Sequence, residues 1–338
     1  MIRDPDTEFY DLNASGYVNL HETFPGLADD LRAYFTRCNE QGIDPNIDFT
    51  NEGYGLYANG AWPVIESVAK ECGIKMDRLT LHISDMFAEY PCNTMPCVND
   101  KWLQVYTPDS EPPATDFKKF GHFVGRVSPD RLAMHVRLSA YKDDMWYSLW
   151  HGYDFDDKFF ARLKGLDEGT IQKCKETVKH LPQVNTFEEP TQNDFYDWPK
   201  QVAPLHRYYK NMFVDIVSET DLDTCFTTEK TLRPIIFKTP FLLMAGKGTL
   251  QKLKDIGFKT FDHWWSEDYD NYTHFERMEK ILDIVEWISV QYNVKKFKEE
   301  MTSILEHNHD HYVNQEWIPM AKQLGVPEIA FGDTRTWE

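Results

Sequence analysis

Apolar positions along the chain fall into two rhythms, and the rhythm changes element by element. In the first half, Leu27 to Arg37 and Pro63 to Cys72 space their apolar residues as helices do, and Leu79 to Ile83 alternates as a short strand. Phe120 to Val127 reads as a strand, and Ser128-Pro129-Asp130 then supplies a cap and an early proline for a helix. That helix is predicted over Arg131 to Tyr141, with the next strand over Met145 to Trp150, so Phe120 to Trp150 is β-α-β in outline. In the second half, Met212 to Ser218 (MFVDIVS) has a buried-strand pattern. Glu229 to Ile236 predicts a helix, Pro240 to Met244 a strand, and Gly246-Lys247-Gly248 a tight turn. Thr249 to Asp255 predicts a helix with Thr249 as its N-cap, followed by a short strand over Phe258 to Phe261. From Phe275 onward the pattern is helical, over Phe275 to Tyr292, Val294 to Leu305 and Asn314 to Leu324. The β-α-β-α order predicts an α/β protein with a parallel sheet covered by helices.

Two stretches lack either rhythm. Thr107 to Thr115 and Leu181 to Pro204 are rich in proline and read as connectors. The second separates two textures, which places a domain boundary near 182–205 and predicts domains over 1–190 and 191–338. A length of 338 residues agrees with two domains at roughly 150 residues each. Hydrophobic residues make up 41% of the chain, enough for real cores and too many for a disordered chain. Six cysteines, of which only Cys92 and Cys97 lie close together, and no signal-like pattern in Met1 to Leu20 predict free thiols and a cytoplasmic protein without a membrane span. The net charge of -19 repels phosphate backbones at long range and excludes a basic nucleic-acid coat, though not an enzyme with one basic cleft.

Candidate chemistry gathers between Phe213 and Asp270. The strand ending at Ser218-Glu219-Thr220 leads to a helix that opens near Thr228-Glu229-Lys230, and ligands of open parallel sheets bind beyond the carboxyl ends of strands. A helix N-terminus there offers N–H groups and a positive dipole end to a phosphate. Glu229 suits a ribose diol, and Lys230 and Arg233, three apart, share a face that suits a diphosphate. The alternative is that Glu229 only favours the helix dipole and the cations are solvated.

Other motifs carry less. Asp-x-Asp occurs at Asp154-Phe155-Asp156, Asp221-Leu222-Asp223 and Asp268-Tyr269-Asp270, a pattern that can hold a divalent cation, but none follows a long apolar strand. His307, His309 and His311 read as a polar terminus rather than a metal site. For a general base, Asp85 after the Leu79 to Ile83 strand and Glu22 beside His21 are the candidates. Aromatic clusters at Trp146-Tyr147, at Tyr196 and Trp198, and at Trp264-Trp265 suit either sugar stacking or packing.

The run from Phe226 to Asp270 resembles the donor domain of phage-encoded and related bacterial glycosyltransferases of the GT-B type. The resemblance rests on Glu219-Thr220, Phe226, Thr228-Glu229-Lys230-Thr231, Arg233-Pro234, Pro240-Phe241, Gly257-Phe258-Lys259-Thr260-Phe261 and Tyr269-Asp270. Phe123-Val124-Gly125-Arg126, followed by Arg131 and Leu132, is similar to a second segment of those enzymes, with Val124 in place of their asparagine. The resemblance implies two Rossmann-like domains facing across a cleft, with final helices returning to the first domain. It also implies a UDP- or GDP-linked sugar as donor, with no obligatory metal. Donor-binding residues would be Arg126, Ser218, Glu219, Thr228, Glu229, Lys230 and Arg233, and the acceptor domain would supply the base. The acceptor implied is the hydroxymethyl group of modified cytosine in phage DNA, which would take glucose or arabinose in the host cytoplasm. Lys118, Lys119, Arg126, Arg131 and Arg137 are the candidates for a DNA groove. A surface polysaccharide or protein acceptor, and a non-catalytic protein with a degenerate fold, are the alternatives.

Overall fold

The computed structural model describes residues 9–11, 26–49, 61–83, 91–96, 116–151, 155–186, 205–219, 222, 225, 227–314, 316–317 and 320. They form two compact units, one within Met1–Asp100 and one within Lys101–Asp223 and Thr227–Trp317. Both are α/β. Among the described residues no helix is long and apolar enough to cross a membrane.

The first unit contains β1 (Phe9–Asp11), α1 (Leu27–Gln41), β2 (Asn46–Phe49), α2 (Ala61–Glu71), β3 (Thr80–Ile83) and β4 (Asn93–Pro96). Its strands lie in the order β1-β2-β3-β4, every neighbouring pair parallel. The apolar stripes expected in the sequence are its core: Leu27, Leu31 and Phe35 of α1 meet Trp62, Ile65 and Val68 of α2 above Ile47 and Leu81. Tyr34 is buried by its ring, and its hydroxyl both accepts from Asn46 N and donates to Asn46 O, which fixes α1 against the start of β2.

The second unit begins with β5 (Lys118–Arg126), α3 (Pro129–Arg137) and β6 (Met145–His151). The short α4 (Asp157–Ala161), α5 (Glu168–Thr177), β7 (Gln183–Val184) and α6 (His206–Tyr209) follow. Then come β8 (Met212–Ser218), α7 (Glu229–Ile236), β9 (Phe241–Met244), α8 (Thr249–Asp255), α9 (His274–Ser289), α10 (Val294–Glu300) and α11 (Thr302–Val313). The sheet order is β7-β6-β5-β8-β9, with β6, β5, β8 and β9 mutually parallel and β7 antiparallel at the edge. The buried-strand reading of Met212 to Ser218 holds at every position. Gly121 of β5 lies where a Cβ would collide with the Met212 sulfur, so its lack of a side chain lets β5 and β8 approach.

The sheet corrects the domain boundary. β5 and β6 come from one side of the 182–205 connector and β8 and β9 from the other, yet all four share hydrogen bonds in one sheet. A change of sequence texture therefore marks a long excursion within a unit, and the contacts divide the chain near residue 100 instead. Local differences also have physical causes. The helix from Arg131 ends at Arg137 and tightens into a 3-10 turn over Leu138–Asp144. Phe258 to Phe261 forms no strand. Its rings are buried, with Phe258 edge-on to His311 and Phe261 against Phe241 and Trp265. The apolar alternation there serves packing rather than a ladder.

The carboxyl end of β9 is held by a buried cation. Arg277 of α9, fully buried, donates Nε to Leu243 O, Nη1 to Gly246 O and Nη2 to Asp270 Oδ1, the last at 2.9 Å. Asp270 in turn accepts from Leu250 N and Gln251 N, which are orphan donors of the first turn of α8. Replacing Arg277 by methionine would leave Asp270 without its counter-charge and two carbonyls without donors, a loss of about 3–5 kcal/mol. Urea denaturation should show that loss for Arg277→Met, and a loss below about 1 kcal/mol would contradict the assignment.

Candidate functional site

The chain leaves β5 toward β6 on one side and later returns to lay β8 on the other. The carboxyl ends of β5 and β8 are therefore the point where strand order reverses, the place where open α/β sheets form a ligand crevice. Ser128 caps α3 just beyond β5, its hydroxyl accepting from Arg131 N, with Pro129 in the first turn. This turns Arg131 back over the sheet. Its side chain, 3% exposed, donates Nε to Ser218 O and Nη1 to Arg126 O, both at 3.1 Å. One guanidinium thus ties the last residue of β5 to the last residue of β8.

Glu219, the next residue, is 1% exposed. Its Oε1 accepts from Thr228 N at 2.9 Å, Thr231 N at 3.2 Å and Thr231 Oγ1 at 2.5 Å, and its Oε2 accepts from Thr228 Oγ1 at 2.6 Å. Charged hydrogen bonds of this kind are the strong ones. The carboxylate occupies the N-terminal end of α7, where the dipole favours negative charge. The expected phosphate position at that helix is filled by the protein's own acid, and Asp270 fills the equivalent position on α8.

The remaining expected residues separate. Ser218 is buried, with Oγ 3.2 Å from His122 Nε2. Thr228 is the N-cap of α7, and Glu229 is its first residue. Lys230 is half-buried, its Nζ 3.1 Å from Thr228 Oγ1. Arg233 does not share its surroundings: it is buried, close enough to Asp215 to favour that carboxylate's charged form. Burial outweighs this and pushes Asp215 up to about 7, with the Tyr209 hydroxyl donating to it at 2.6 Å. Arg126 is exposed at the end of β5, on the same sheet as Ser218 rather than in a separate domain. Asp85 and Glu22 lie outside the described residues, as do Thr220 and Phe226.

The five cations expected to line a DNA groove do not assemble one. Lys118 and Lys119 start β5 and Arg126 ends it, about 25 Å away at the rise of a strand. Lys118 donates to Asp143 O, Lys119 to Ser289 O, and Arg137 forms a two-pronged pair with Glu279 at 2.5 and 2.7 Å. Of the acidic triplets, Asp154, Asp221 and Asp223 lie outside the described residues, and the described members are engaged elsewhere. Asp156 caps α4, Asp270 pairs with Arg277, and Asp268 accepts from Ser266. No group of three or more metal-ligating side chains occurs among the described residues. His307, His309 and His311 sit 3.0, 2.8 and 2.7 Å from Gly257 O, Ile236 O and Ile256 O. They latch α11 to the ends of α7 and α8. Trp265 is buried against Phe261, so that member of the aromatic pair is core.

Two features carried no sequence signal. His274, the first residue of α9, adopts a φ of 42° and places Nδ1 3.4 Å from Asp130 Oδ1 in the first turn of α3. Positive φ is costly for a residue other than glycine and concentrates at functional positions. An imidazole oriented by a carboxylate is a proton acceptor in form. The second feature is a layer of imidazoles under α3: His122 and His135 are buried and stacked 5.8 Å apart. Periodicity cannot reveal either, because both depend on which helix lands beside which.

The chain matches no protein-family model, no curated protein and no solved structure.

Two outcomes follow from this geometry. Glu219→Gln keeps the volume but sets an amide against N–H donors, and should cost about 2–3 kcal/mol of stability in chemical denaturation. An unchanged midpoint would contradict the cap. Burial lowers His135 to about 4 and lowers His122 as well. The unfolded chain then binds more protons than the folded one below the ordinary histidine value. Stability is therefore full above about pH 6.5 and falls as pH drops toward 4, by on the order of 3 kcal/mol from His135. A His135→Phe variant should show a shallower fall in melting temperature across that window, and an equal fall would contradict the assignment.

Proposed function

We propose that the chain is a nucleotide-sugar-dependent glycosyltransferase of the GT-B type. The observation that supports this most directly is where the resemblance residues lie. Arg126 and Lys230 both belong to the carboxyl end of a parallel sheet at its β5/β8 reversal, the position at which such sheets take nucleotides. With Glu219 and Asp270 occupying the helix ends, the diphosphate of a UDP- or GDP-linked sugar would be met by side-chain cations, and these would stabilise the leaving group without an obligatory metal. In this reading Arg131 and Glu219 position the strand ends and do not touch the donor. His274, oriented by Asp130, is the candidate to take the acceptor's proton, alongside Asp85 and Glu22.

The acceptor in this proposal is the hydroxymethyl group of modified cytosine in DNA, on the strength of the resemblance. The dispersal of Lys118, Lys119 and Arg137 onto protein partners favours the second reading, a polysaccharide or protein acceptor.

Thermal stabilisation by a panel of nucleotide sugars identifies the donor. A true donor at 100 times its dissociation constant adds about 2.7 kcal/mol. Arg126→Ala and Lys230→Ala should each weaken that donor by about 1–3 kcal/mol, and unchanged affinity in both would remove the site. Turnover should survive EDTA, whereas loss restored by manganese would favour the metal-dependent reading. Hydroxymethylated and plain duplexes, digested to nucleosides after incubation with donor, decide the acceptor. Sugar on the modified base supports DNA, and transfer only to a glycan or protein supports the second reading.

A further inference from the structure

A second basic feature lies at the opposite end of the same sheet. A groove of about 380 Å³ is lined by Phe117, Lys210, Lys238, Lys295, Lys298 and Glu299, with Thr302, Leu305 and Glu306 of α11 completing it. Four lysines against two glutamates give a local excess of positive charge on a chain whose net charge is -19. Phe117 precedes β5, Lys210 precedes β8 and Lys238 precedes β9, so the groove lies at the amino ends of the strands. That is roughly 20 Å, the length of β8, from the crevice at Ser218.

Lys298 differs from Lys210, Lys238 and Lys295, which are exposed. Lys298 projects inward from α10 and donates Nζ to Tyr209 O at 3.2 Å, Met212 O at 2.7 Å and Thr239 Oγ1 at 3.4 Å. Its charge is met by neutral oxygens and by no carboxylate, although Glu299 is the adjacent residue. Lys238 adopts a φ of 52° just after α7, a conformation glycine or asparagine would hold at less cost. Lys295 lies with Nζ 4.8 Å from the centre of the Phe117 ring. Among the described residues, Lys238, Lys295, Glu299 and Glu306 form no ion pair with one another. Lys238 and Lys295 are therefore not neutralised by Glu299 or Glu306.

We propose that this groove binds a phosphate-bearing small molecule, at a site separate from the carboxyl-end crevice. The volume falls within the range of small-molecule sites. Phosphate is the anion that the exposed ammonium groups of Lys238 and Lys295 suit, since each can donate to several oxygens without a fixed plane, while Lys298, its three donors spent on protein oxygens, adds only its charge. Phe117 and Leu305 add apolar surface for a non-ionic part of the ligand. A small ligand is favoured over a nucleic-acid strand because the whole-chain field of a net -19 acts on every phosphate of a long polyanion, while the groove's own lysines dominate for a small one. The proposal does not depend on the glycosyltransferase reading.

Hydrogen exchange on the full chain, with inorganic pyrophosphate, uridine monophosphate or a short single-stranded DNA added, separates this site from the other. A sodium chloride control of matched ionic strength removes the general salt effect. Pyrophosphate or the mononucleotide should slow exchange in peptides covering Val294 to Glu306. The double variant Lys238→Glu with Lys295→Glu should lose that protection while its melting temperature stays within a few degrees of the parent. Arg126→Ala with Lys230→Ala should keep it. No protection of Val294 to Glu306, protection that persists in the double reversal, or protection by DNA alone would each overturn the proposal. If the double reversal fails to fold, the milder Lys295→Gln, expected to weaken protection several-fold, takes its place with the same criteria.

Discussion

Glu219 sets the geometry on which the second unit depends. A carboxylate with 1% exposure is tolerated only because four donors from the first turn of α7 converge on it. The residue is the first after β8, so the same bonds that stabilise the charge fix the distance between strand end and helix start. Arg131 completes the arrangement from the other side by joining the ends of β5 and β8 through their carbonyls. The β9 end repeats the solution with Arg277 and Asp270. In both places a buried guanidinium binds strand-end carbonyls and an acid caps the helix that follows.

This repeated device bears on the proposed function. Parallel sheets commonly leave their helix N-termini open to bind phosphate. Here both are closed from within, so any anion at the β5/β8 reversal meets flexible side chains on a rigid frame. The frame is rigid because its charges are buried and bonded, and Arg126 and Lys230 stand at its margin with greater exposure than Arg131 or Glu219. The polar layer beneath α3, where Ser218 meets His122 and His122 stacks on His135, continues the same sheet edge into the interior. It couples the stability of that edge to pH through imidazoles that remain neutral when folded.

What the sequence made legible was local. The buried run Met212 to Ser218, the Ser128-Pro129 helix start and the stripes of Leu27 to Arg37 all appear where periodicity and capping place them. Those signals arise from residues within one or two turns of each other. The domain boundary failed because a proline-rich connector looks the same whether it joins two domains or two strands of one sheet. Glu219 and Arg233 illustrate the same limit at the site. Each has a residue type suited to a nucleotide, yet one caps a helix and the other lies beside Asp215, and only the packing of α7 on β8 decides that. The Asp130–His274 pair, formed between residues 144 positions apart, had no local trace at all.

In the proposed function a nucleotide diphosphate binds beyond the ends of β5 and β8 through side-chain cations, with the ends of α7 and α8 already occupied. A crystal structure of the protein with UDP or GDP bound tests it most directly. The account predicts phosphate oxygens within hydrogen-bond reach of Arg126 and Lys230, with Glu219 still accepting from Thr228 and Thr231. A diphosphate seated on the α7 amides with Glu219 displaced, or a nucleotide bound elsewhere on the chain, would contradict it.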